Sequence, residues 1–367
     1  MDQNNSISDE ELREMLFGDN PENSLQKTKT KVSLTPSYTL ESGMGYSDNP
    51  LFGPFIQQDS VYWENSLEGF FLVESRKEFF TYIYLYGEGK IFEELSEQKF
   101  TSIYLSQFEH AYTPTESDQT FGLRLRHTYY DQGFDFSELG MPFSISVRSN
   151  KSEFSPYYSK KISEALAATF EVSFGTEDFK TITDDNKDSG ISLALKGTPE
   201  FLNWTLKADY LLKKYKQRDQ RDWNGVEITG AKLETDKISF SATAEKDNEA
   251  PLFQKTSAKL AWAQLQDNGG GYYDYEKISF SLGQELKISL YNIEVTVGGA
   301  HTKYDQRQTD NFEIFERQSL TNGVSITREL LDNMETYLRW SRDEDFSNSR
   351  DFEYSSNFWS LGVIWEI

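Results

Sequence analysis

The side chains best suited to binding a ligand are arginines with a spacing of two. Arg124 and Arg126 would point the same way from one strand, and Arg148 falls on the next predicted strand. Guanidinium groups match carboxylates and phosphates in shape, so these three could form a basic patch for an anionic solute or a polysaccharide. The alternative, which we favour, is that they pair with acidic side chains and only fill the interior. The acidic side chains considered for this pairing are Glu64, Glu68 and Glu171.

Patterns for catalysis or metal binding are weak. The chain has no cysteine, and its three histidines, His110, His127 and His301, are too scattered for a zinc motif. No serine lies in a nucleophile motif such as G-x-S-x-G. Residues 267–271 (DNGGG) are acidic and glycine-rich but lack the spaced oxygen ligands of a calcium loop, so an external loop is the better interpretation. We therefore expect no catalytic residue, no metal and no cofactor.

Strands must position these side chains, because apolar and polar residues alternate from about residue 31 onward. Successive side chains of a strand point to opposite faces, so each alternating segment has one apolar and one polar face. In one such segment the apolar Trp204, Leu206, Ala208 and Tyr210 alternate with Thr205, Lys207 and Asp209.

Sixteen alternating segments can be placed along the chain. Their centres fall near residues 38, 66, 84, 105, 125, 149, 170, 192, 208, 238, 260, 281, 298, 322, 338 and 361. Tight links near 75–78, 160–164, 197–202, 289–292 and 330–333 separate long polar loops at 47–57, 90–98, 131–140, 176–187, 214–228, 266–275, 304–313 and 343–354. Short and long connections in turn are typical of outer-membrane barrels, which have short periplasmic turns and longer external loops.

The fold prediction is therefore all-β. We expect a transmembrane, up-and-down antiparallel β-barrel of about sixteen strands, with 14 to 18 allowed, over residues 31–367. Several segments are long enough for the roughly nine to eleven residues that a tilted strand needs to cross a bilayer. The strand count places both chain ends on the periplasmic side of an outer membrane.

Residues 1–30 are predicted to be a separate periplasmic segment. In 8–17 (SDEELREMLF) an acidic first turn precedes Leu12, Met15 and Leu16 at helical spacing, which predicts a short amphipathic helix at best. It could plug the barrel or dock an upstream domain, but we favour a frayed linker because short helices are marginal. Residues 1–6 lack the pattern of a signal peptide, so we expect that an export leader was removed or that a larger upstream part precedes residue 1.

If the apolar face contacts lipid, the polar face surrounds the lumen. The candidate lumen-lining residues are Glu64, Glu68, Arg124, Arg126, Arg148, Lys207, Lys287, Glu335 and Arg339. About sixteen strands make a barrel wide enough for an aqueous channel, although a folded loop or the N-terminal segment could plug it. Aromatic rings near strand ends suit the membrane interface, and the girdle candidates are Trp63, Trp204, Tyr272, Tyr291, Trp340 and Trp365.

The last strand carries an alternating pattern that runs to the final residue. Its residues Ser360, Gly362, Trp365 and Ile367 resemble the C-terminal signal read by the barrel-assembly machinery, with Ile367 where an aromatic residue is usual. The alternative is an ordinary edge strand.

Charge and composition limit the partners. With 37 basic and 60 acidic residues the net charge is −23, which speaks against nucleic acid as a partner. Disordered chains of high charge are poor in aromatic residues, whereas 15% of this chain is Phe, Tyr or Trp. The composition therefore favours a folded protein.

Three stretches resemble a family of bacterial outer-membrane β-barrel proteins known mostly from Verrucomicrobia and often fused to tetratricopeptide repeats. Residues 41–52 (ESGMGYSDNPLF) are similar to its first strand and loop, roughly G-x-G-Y-D-D-N, with Ser47 in place of the first Asp. Residues 267–275 (DNGGGYYDY) are similar to a later loop, and 360–367 (SLGVIWEI) to the barrel end. The resemblance to barrels of polysaccharide secretion implies glycan export, with a repeat protein as a separate partner.

Three functions are consistent with these patterns. The first is an outer-membrane channel or export pore for a polar solute or a polysaccharide, with membrane lipid and the barrel-assembly machinery as partners. The second is a closed structural or docking barrel whose external loops bind a ligand. The third is a soluble all-β protein that binds glycans.

Overall fold

The computed structural model describes residues 35–54, 57–75, 78–95, 99–135, 144–199, 201–248, 250 and 252–367. The predicted segment 1–30 and its short helix lie outside the described residues. Among the residues described, no helix has the length and apolar character needed to span a membrane.

Sixteen strands form one closed antiparallel sheet within the described part of the chain. In chain order they are β1 (Thr35–Ser47), β2 (Ser60–Ser75), β3 (Phe79–Phe92), β4 (Phe100–Tyr112), β5 (Gln119–Asp135), β6 (Ser144–Ser163), β7 (Leu166–Phe179), β8 (Asn186–Gly197), β9 (Asn203–Arg221), β10 (Glu227–Asp247), β11 (Phe253–Asp267), β12 (Tyr275–Ile288), β13 (Tyr291–Gln308), β14 (Ile314–Leu331), β15 (Met334–Ser347) and β16 (Tyr354–Glu366). Each of the sixteen predicted centres falls within its strand, so the prediction of an all-β, up-and-down barrel is confirmed.

The first and last strands close the barrel. β1 pairs with β16 in an unbroken register from Thr39 opposite Glu366 to Ser47 opposite Phe358. Beyond this ladder, the backbones of Tyr38 and Ile367 exchange two hydrogen bonds of 2.9 and 3.1 Å. Closure leaves no strand edge with unpaired backbone groups, which would otherwise invite pairing with another chain.

Apolar and polar side chains separate onto the two faces of the wall. Residues directly opposite each other on antiparallel strands share a face. The strand registers therefore show, from one strand to the next around the barrel, which residues face outward and which face inward. Large apolar side chains on the outer face are half exposed, and examples are Leu67, Phe170, Ile191, Leu206, Phe240, Leu260, Phe280 and Leu361. Charged and hydroxyl side chains face the lumen.

Connections differ in length between the two ends. At the end where β1 begins and β16 finishes (the terminal end), connections have two to six residues; at the opposite end (the loop end) they have five to twelve. The asymmetry was predicted, but the predicted loops are too long. Of 214–228, for example, only 222–226 lies outside β9 and β10. Near the loop end β9 is almost wholly polar, and the pairing of β10 with β9 shifts register between Ile228 and Glu234, so alternation of apolar and polar residues cannot mark the strands there.

Candidate functional site

A cavity of about 850 Å³ lies in the lumen, bordered by β1–β5 and β12–β16. Alternation on these strands brings charged side chains to it from several directions. Six carboxylate side chains on the inner face border the cavity, namely Glu41, Glu64, Glu68, Glu88, Glu294 and Asp343. The cationic side chains at its border are Lys90, Lys277 and Arg339.

Tyr337 sits at the seam where β16 meets β1. Its hydroxyl end occupies the space that side chains at Gly43 and Gly362 would need, so both glycines leave room for it. Its hydroxyl donates to Glu64 Oε1 over 2.8 Å. Beside it, Arg339 donates two hydrogen bonds of 2.7 and 3.0 Å to the carboxylate of Glu41. The seam thus holds Glu64 and Arg339, two predicted lumen residues, in defined positions.

Three tyrosines lie on the inner face of β3, which neighbours the strand of Glu64 on the side away from β1. Tyr82, Tyr84 and Tyr86 take alternate positions, and the first two are almost fully buried. Tyr86 donates to Glu88 Oε2 over 2.7 Å, and Lys90 lies 3.2 Å from the other oxygen of Glu88. The three rings pack along the inner side of the wall, and Tyr86 borders the cavity.

The connection after β1 folds into the loop-end mouth of the barrel. Asp48 accepts hydrogen bonds of 2.7 Å from the backbone and the side chain of Asn357 on β16. Asn49, 1% exposed, donates to Gly53 O and accepts from Gly53 N. This brings Phe52 onto Tyr354 and Phe358, with ring centroids 5.3 and 5.8 Å away, at the border of the cavity. Part of the predicted external loop 47–57 therefore lines the lumen.

Arg124 is sealed into the wall. Its Nε lies 3.0 Å from Glu109 Oε2 and its Nη1 lies 3.0 Å from Glu171 Oε2. Tyr82 and Tyr157 also donate to Glu109, over 2.8 and 2.7 Å. With Arg124 and Glu109 only 6% and 2% exposed, the group is satisfied internally and has no open face for an anionic solute. The pairing with Glu171 is the one that the favoured interpretation named.

The other predicted lumen residues fall into three groups. Arg126 faces inward and donates to Gln107 Oε1 over 2.8 and 3.0 Å, while Lys207 faces inward and lies 3.1 Å from Asp209. Lys287 and Glu335 are on the inner face near the terminal end, away from the cavity. Glu68 borders the cavity.

Arg148 does not line the lumen. It is the register partner of Asp131, and both lie on the face opposite to Arg126 and Glu153. The two side chains form an ion pair of 2.8 Å, with Arg148 half exposed and Asp131 buried. The prediction placed Arg148 one position out of phase, because the apolar Val147 beside it suggests an outward position for Val147, whereas Val147 is the register partner of the inward Gln132. The proposed patch of three arginines therefore does not form.

Five of the six girdle candidates lie on the outer face. Trp204, Tyr291 and Trp365 are near the terminal end, and Trp63 is near the loop end. The remaining outward one, Trp340, is mid-strand and packs 5.9 Å from the ring of Trp359. Tyr272 lies instead in the connection before β12, between the guanidinium groups of Arg221 and Arg307 at 5.5 and 5.6 Å from its ring.

On β16 the residues of the predicted assembly signal divide between the faces. Ser360 and Gly362 face the lumen, and Trp365 is 49% exposed on the outside. Ile367 pairs with Tyr38 through the backbone. Recognition by the assembly machinery remains a prediction.

The loop predicted from 267–271 is held by its own backbone. Asp267 accepts hydrogen bonds from the N–H groups of Gly269, Gly271 and Tyr273 at 2.7, 3.0 and 2.8 Å. Burial, together with the charges of Asp267 and Asp305, raises the pKa of Asp274 to about 6. Among the described residues no group of three or more His, Asp or Glu side chains is arranged to hold a metal ion.

The histidines His110 and His127 lie on the outer face. A ring nitrogen of His110 is 2.7 Å from Thr81 Oγ1, and one of His127 is 2.9 Å from Ser152 Oγ. His127 and Ser152 are direct partners in the β5–β6 register. These contacts are cross-strand pairs on the outer wall.

Sequence reasoning missed Glu41, Glu88, Asp343 and the cavity-lining Phe52. The first three stand at inward positions of alternating strands, so the alternation could have found them. Phe52 gave no such signal, because an apolar residue in a connection has no periodic neighbours. Residues 41–52, the stretch that resembles the first strand and loop of the family named above, do contain Asp48 and Asn49, which hold this loop through hydrogen bonds.

Solved structures to which this chain is similar include a porin and an outer-membrane protein. OccAB1 of Acinetobacter baumannii is 10% identical, with a TM-score of 0.48 over 94% of this chain and 99% of that chain. An anion-selective porin from Comamonas acidovorans is 11% identical, with a TM-score of 0.46 over 91% and 99%. OprD from Pseudomonas aeruginosa is 9% identical, with a TM-score of 0.46 over 90% and 94%. No protein-family model and no curated protein matches the chain.

Proposed function

We propose that this barrel is a water-filled channel in the outer membrane for small polar solutes. The observation that carries the proposal is the division of the wall into two faces. Leu206, Phe240 and Leu260 stand half exposed outside, whereas Glu64 and Arg339 border a cavity inside. An apolar outer band suits hydrocarbon, and a charged lumen suits water.

The orientation is part of the proposal. Connections of two to six residues at the terminal end match periplasmic turns, and the longer ones at the loop end match external loops. Both ends of the barrel segment would then be periplasmic. Protease digestion of intact cells that display the protein tests this: an epitope inserted in 309–313 should be cleaved, and one in the 332–333 turn should be protected. The opposite pattern would reverse the orientation.

Location in a membrane is tested by extraction. The protein should remain in the membrane fraction until detergent is added, and it should migrate faster on gels when unheated than when boiled. Recovery from the aqueous fraction, with no change on heating, would contradict the proposal and favour a soluble glycan-binding protein.

Channel activity is tested in planar bilayers with the purified full chain. We expect stepwise increases in current as single barrels insert. A folded, heat-modifiable protein that gives no current above background would instead favour a closed docking barrel. The Phe52→Ala variant should be measured in the same experiment, because Phe52 borders the cavity and its removal is expected to raise the conductance.

The solutes are proposed to be small because bulky rings narrow the lumen. Phe52, Tyr62, Tyr86 and Phe358 all border the cavity. Poly(ethylene glycol) of increasing size tests this, because only polymers that enter the lumen reduce its conductance. Entry of long polymers would favour passage of a polysaccharide, the substrate that the family resemblance implies.

We also propose the barrel-assembly machinery as a partner, which would bind the end of β16. The outward Trp365 and the backbone-paired Ile367 would present the end of β16 to the barrel-assembly machinery. Deleting Ile367 should slow insertion into liposomes that contain that machinery while leaving insertion into pure detergent micelles unchanged. Equal rates with the parent would contradict this role.

A further inference from the structure

We infer that this channel selects small cations over anions, an inference that rests on the proposed channel function. The relevant surface is the charged border of the lumen cavity. Six inward carboxylates border it against three cationic side chains. Asp131 also borders it, but its buried carboxylate forms an ion pair with Arg148 and is therefore neutralised.

Two of the three cations are already neutralised. Arg339 makes two hydrogen bonds to Glu41, the shorter of 2.7 Å, and Lys90 lies 3.2 Å from Glu88. Charges paired at such distances largely cancel beyond their immediate surroundings. Neither pair therefore contributes much to the field that a passing ion meets.

Four carboxylates remain without a cationic partner. Glu64, Glu68, Glu294 and Asp343 form no ion pair with Lys or Arg within the described part of the chain. Glu64 is held by a hydrogen bond from Tyr337, a neutral donor that leaves its charge in place. Since these residues come from β2, β13 and β15, they form an acidic arc across the seam of the barrel.

The lysines of the far wall do not offset this arc. Lys196, Lys207, Lys213 and Lys237 face inward from β8–β10 but do not border the cavity. Lys207 lies 3.1 Å from Asp209, and Lys213 lies 3.8 Å from Glu177. Lys277, on β12, is the one described lysine of β8–β12 that borders the cavity.

An excess of one charge in a narrow space concentrates ions of the opposite sign. At 0.1 M salt the screening length is about 10 Å, so an ion within the cavity is inside the field of the arc. A cleft lined by charges of one sign, with walls of low dielectric constant, raises the local concentration of counter-ions. We therefore expect a K⁺ to Cl⁻ permeability ratio on the order of ten.

The test is the reversal potential of single barrels in a gradient of KCl. The expected sign is that of cation selectivity. The variant Glu64→Gln, Glu68→Gln, Glu294→Gln, Asp343→Asn should bring the ratio close to one while current persists. Glu68→Gln and Glu294→Gln, measured singly, should each lower the ratio, which keeps the test valid if the combined variant does not fold.

The matched control removes four carboxylates at the terminal end, outside the cavity. This control is the variant Glu116→Gln, Asp118→Asn, Glu164→Gln, Asp332→Asn. It should retain the K⁺ to Cl⁻ permeability ratio of the parent protein. A parental ratio at or below one, or a ratio unchanged in the lumen variants, would overturn the inference while leaving the channel proposal intact. Absence of current from a folded barrel would overturn the channel proposal and the inference with it.

Discussion

The ring of Tyr157 lies on Gly122, its direct partner on the neighbouring strand, in the space that a side chain at Gly122 would fill. From there its hydroxyl donates to Glu109 over 2.7 Å, and its ring lies 5.5 Å from the guanidinium of Arg124. A glycine on β5 thus positions a tyrosine that completes the buried ion-pair group.

Gly122→Ala should destabilise the barrel because the new methyl group displaces Tyr157. Overpacking of this kind costs about 1–3 kcal/mol in the free energy of unfolding. Urea unfolding of the protein in detergent, followed by tryptophan fluorescence, measures it. In a Tyr157→Ala background the same substitution should cost much less. An equal cost in both backgrounds would mean that the glycine acts in some other way.

Arg124→Met should be costly because it leaves Glu109 buried without its cation. Removing one partner of a buried pair costs about 3–5 kcal/mol. A Glu109→Gln, Arg124→Met double variant should recover part of this loss in the same urea experiment. The control is Lys214→Met, since Lys214 and Glu234 form an exposed pair worth about 1 kcal/mol or less. Similar losses for Arg124→Met and Lys214→Met would show that the buried group does not stabilise the barrel.

Phe52→Ala should increase single-channel conductance, because the ring borders the lumen cavity. Phe312→Ala is a close control: both phenylalanines have positive φ, 57° and 62°, in loop-end connections, but Phe312 is 84% exposed. Conductance in 1 M KCl should rise for the first variant and stay constant for the second. An unchanged conductance for Phe52→Ala would mean that the loop does not limit the flow of ions.

The loop before β12 should loosen as pH rises through about 6. Burial and the neighbouring Asp267 and Asp305 raise the pKa of Asp274 to about 6 from 3.8, so the folded loop binds a proton more tightly than the unfolded chain does. The resulting stability is fully present below pH 4 and is lost as pH rises through 6. Hydrogen exchange of the Gly271 and Tyr273 amides should therefore be better protected at pH 5 than at pH 7.5, after correction for intrinsic rates.

Asp274→Asn should abolish this pH dependence, because an amide retains an oxygen that can accept from the Asp267 N–H but carries no charge. The variant should show the protection of the low-pH state at both pH values. A persistent difference would assign the effect to another group.

Leu260→Arg should impair insertion, because Leu260 is 58% exposed on the outer face near the middle of β11. An arginine at the middle of a bilayer costs a barrel about 2–4 kcal/mol. Ala261→Arg is the matched control, since the next residue faces the lumen. Folding yield in liposomes should fall for the first variant and change little for the second; equal yields would argue against lipid at that face.

The sequence alone determined the strands and their faces, because a strand with one wet and one apolar side must alternate with a period of two. All sixteen centres and the inward placement of Glu64, Glu68 and Arg339 followed from that rule. The rule failed for Arg148, because the apolar Val147 beside it lies on the lumen face rather than on the outer face.

Only the tertiary structure decided which inward charges cancel and which remain. Arg124 forms ion pairs with Glu109 and Glu171, whereas Glu294 and Asp343 form no ion pair with a Lys or Arg of the described residues, and Phe52 lies in the loop-end mouth. The position of Phe52 on Tyr354 and the pairing of Arg339 with Glu41 depend on barrel closure, which brings β1 beside β16 across more than three hundred residues of chain. Alternation fixes the face of a side chain, but the identity of its neighbours is set by register, and register is a property of the closed sheet.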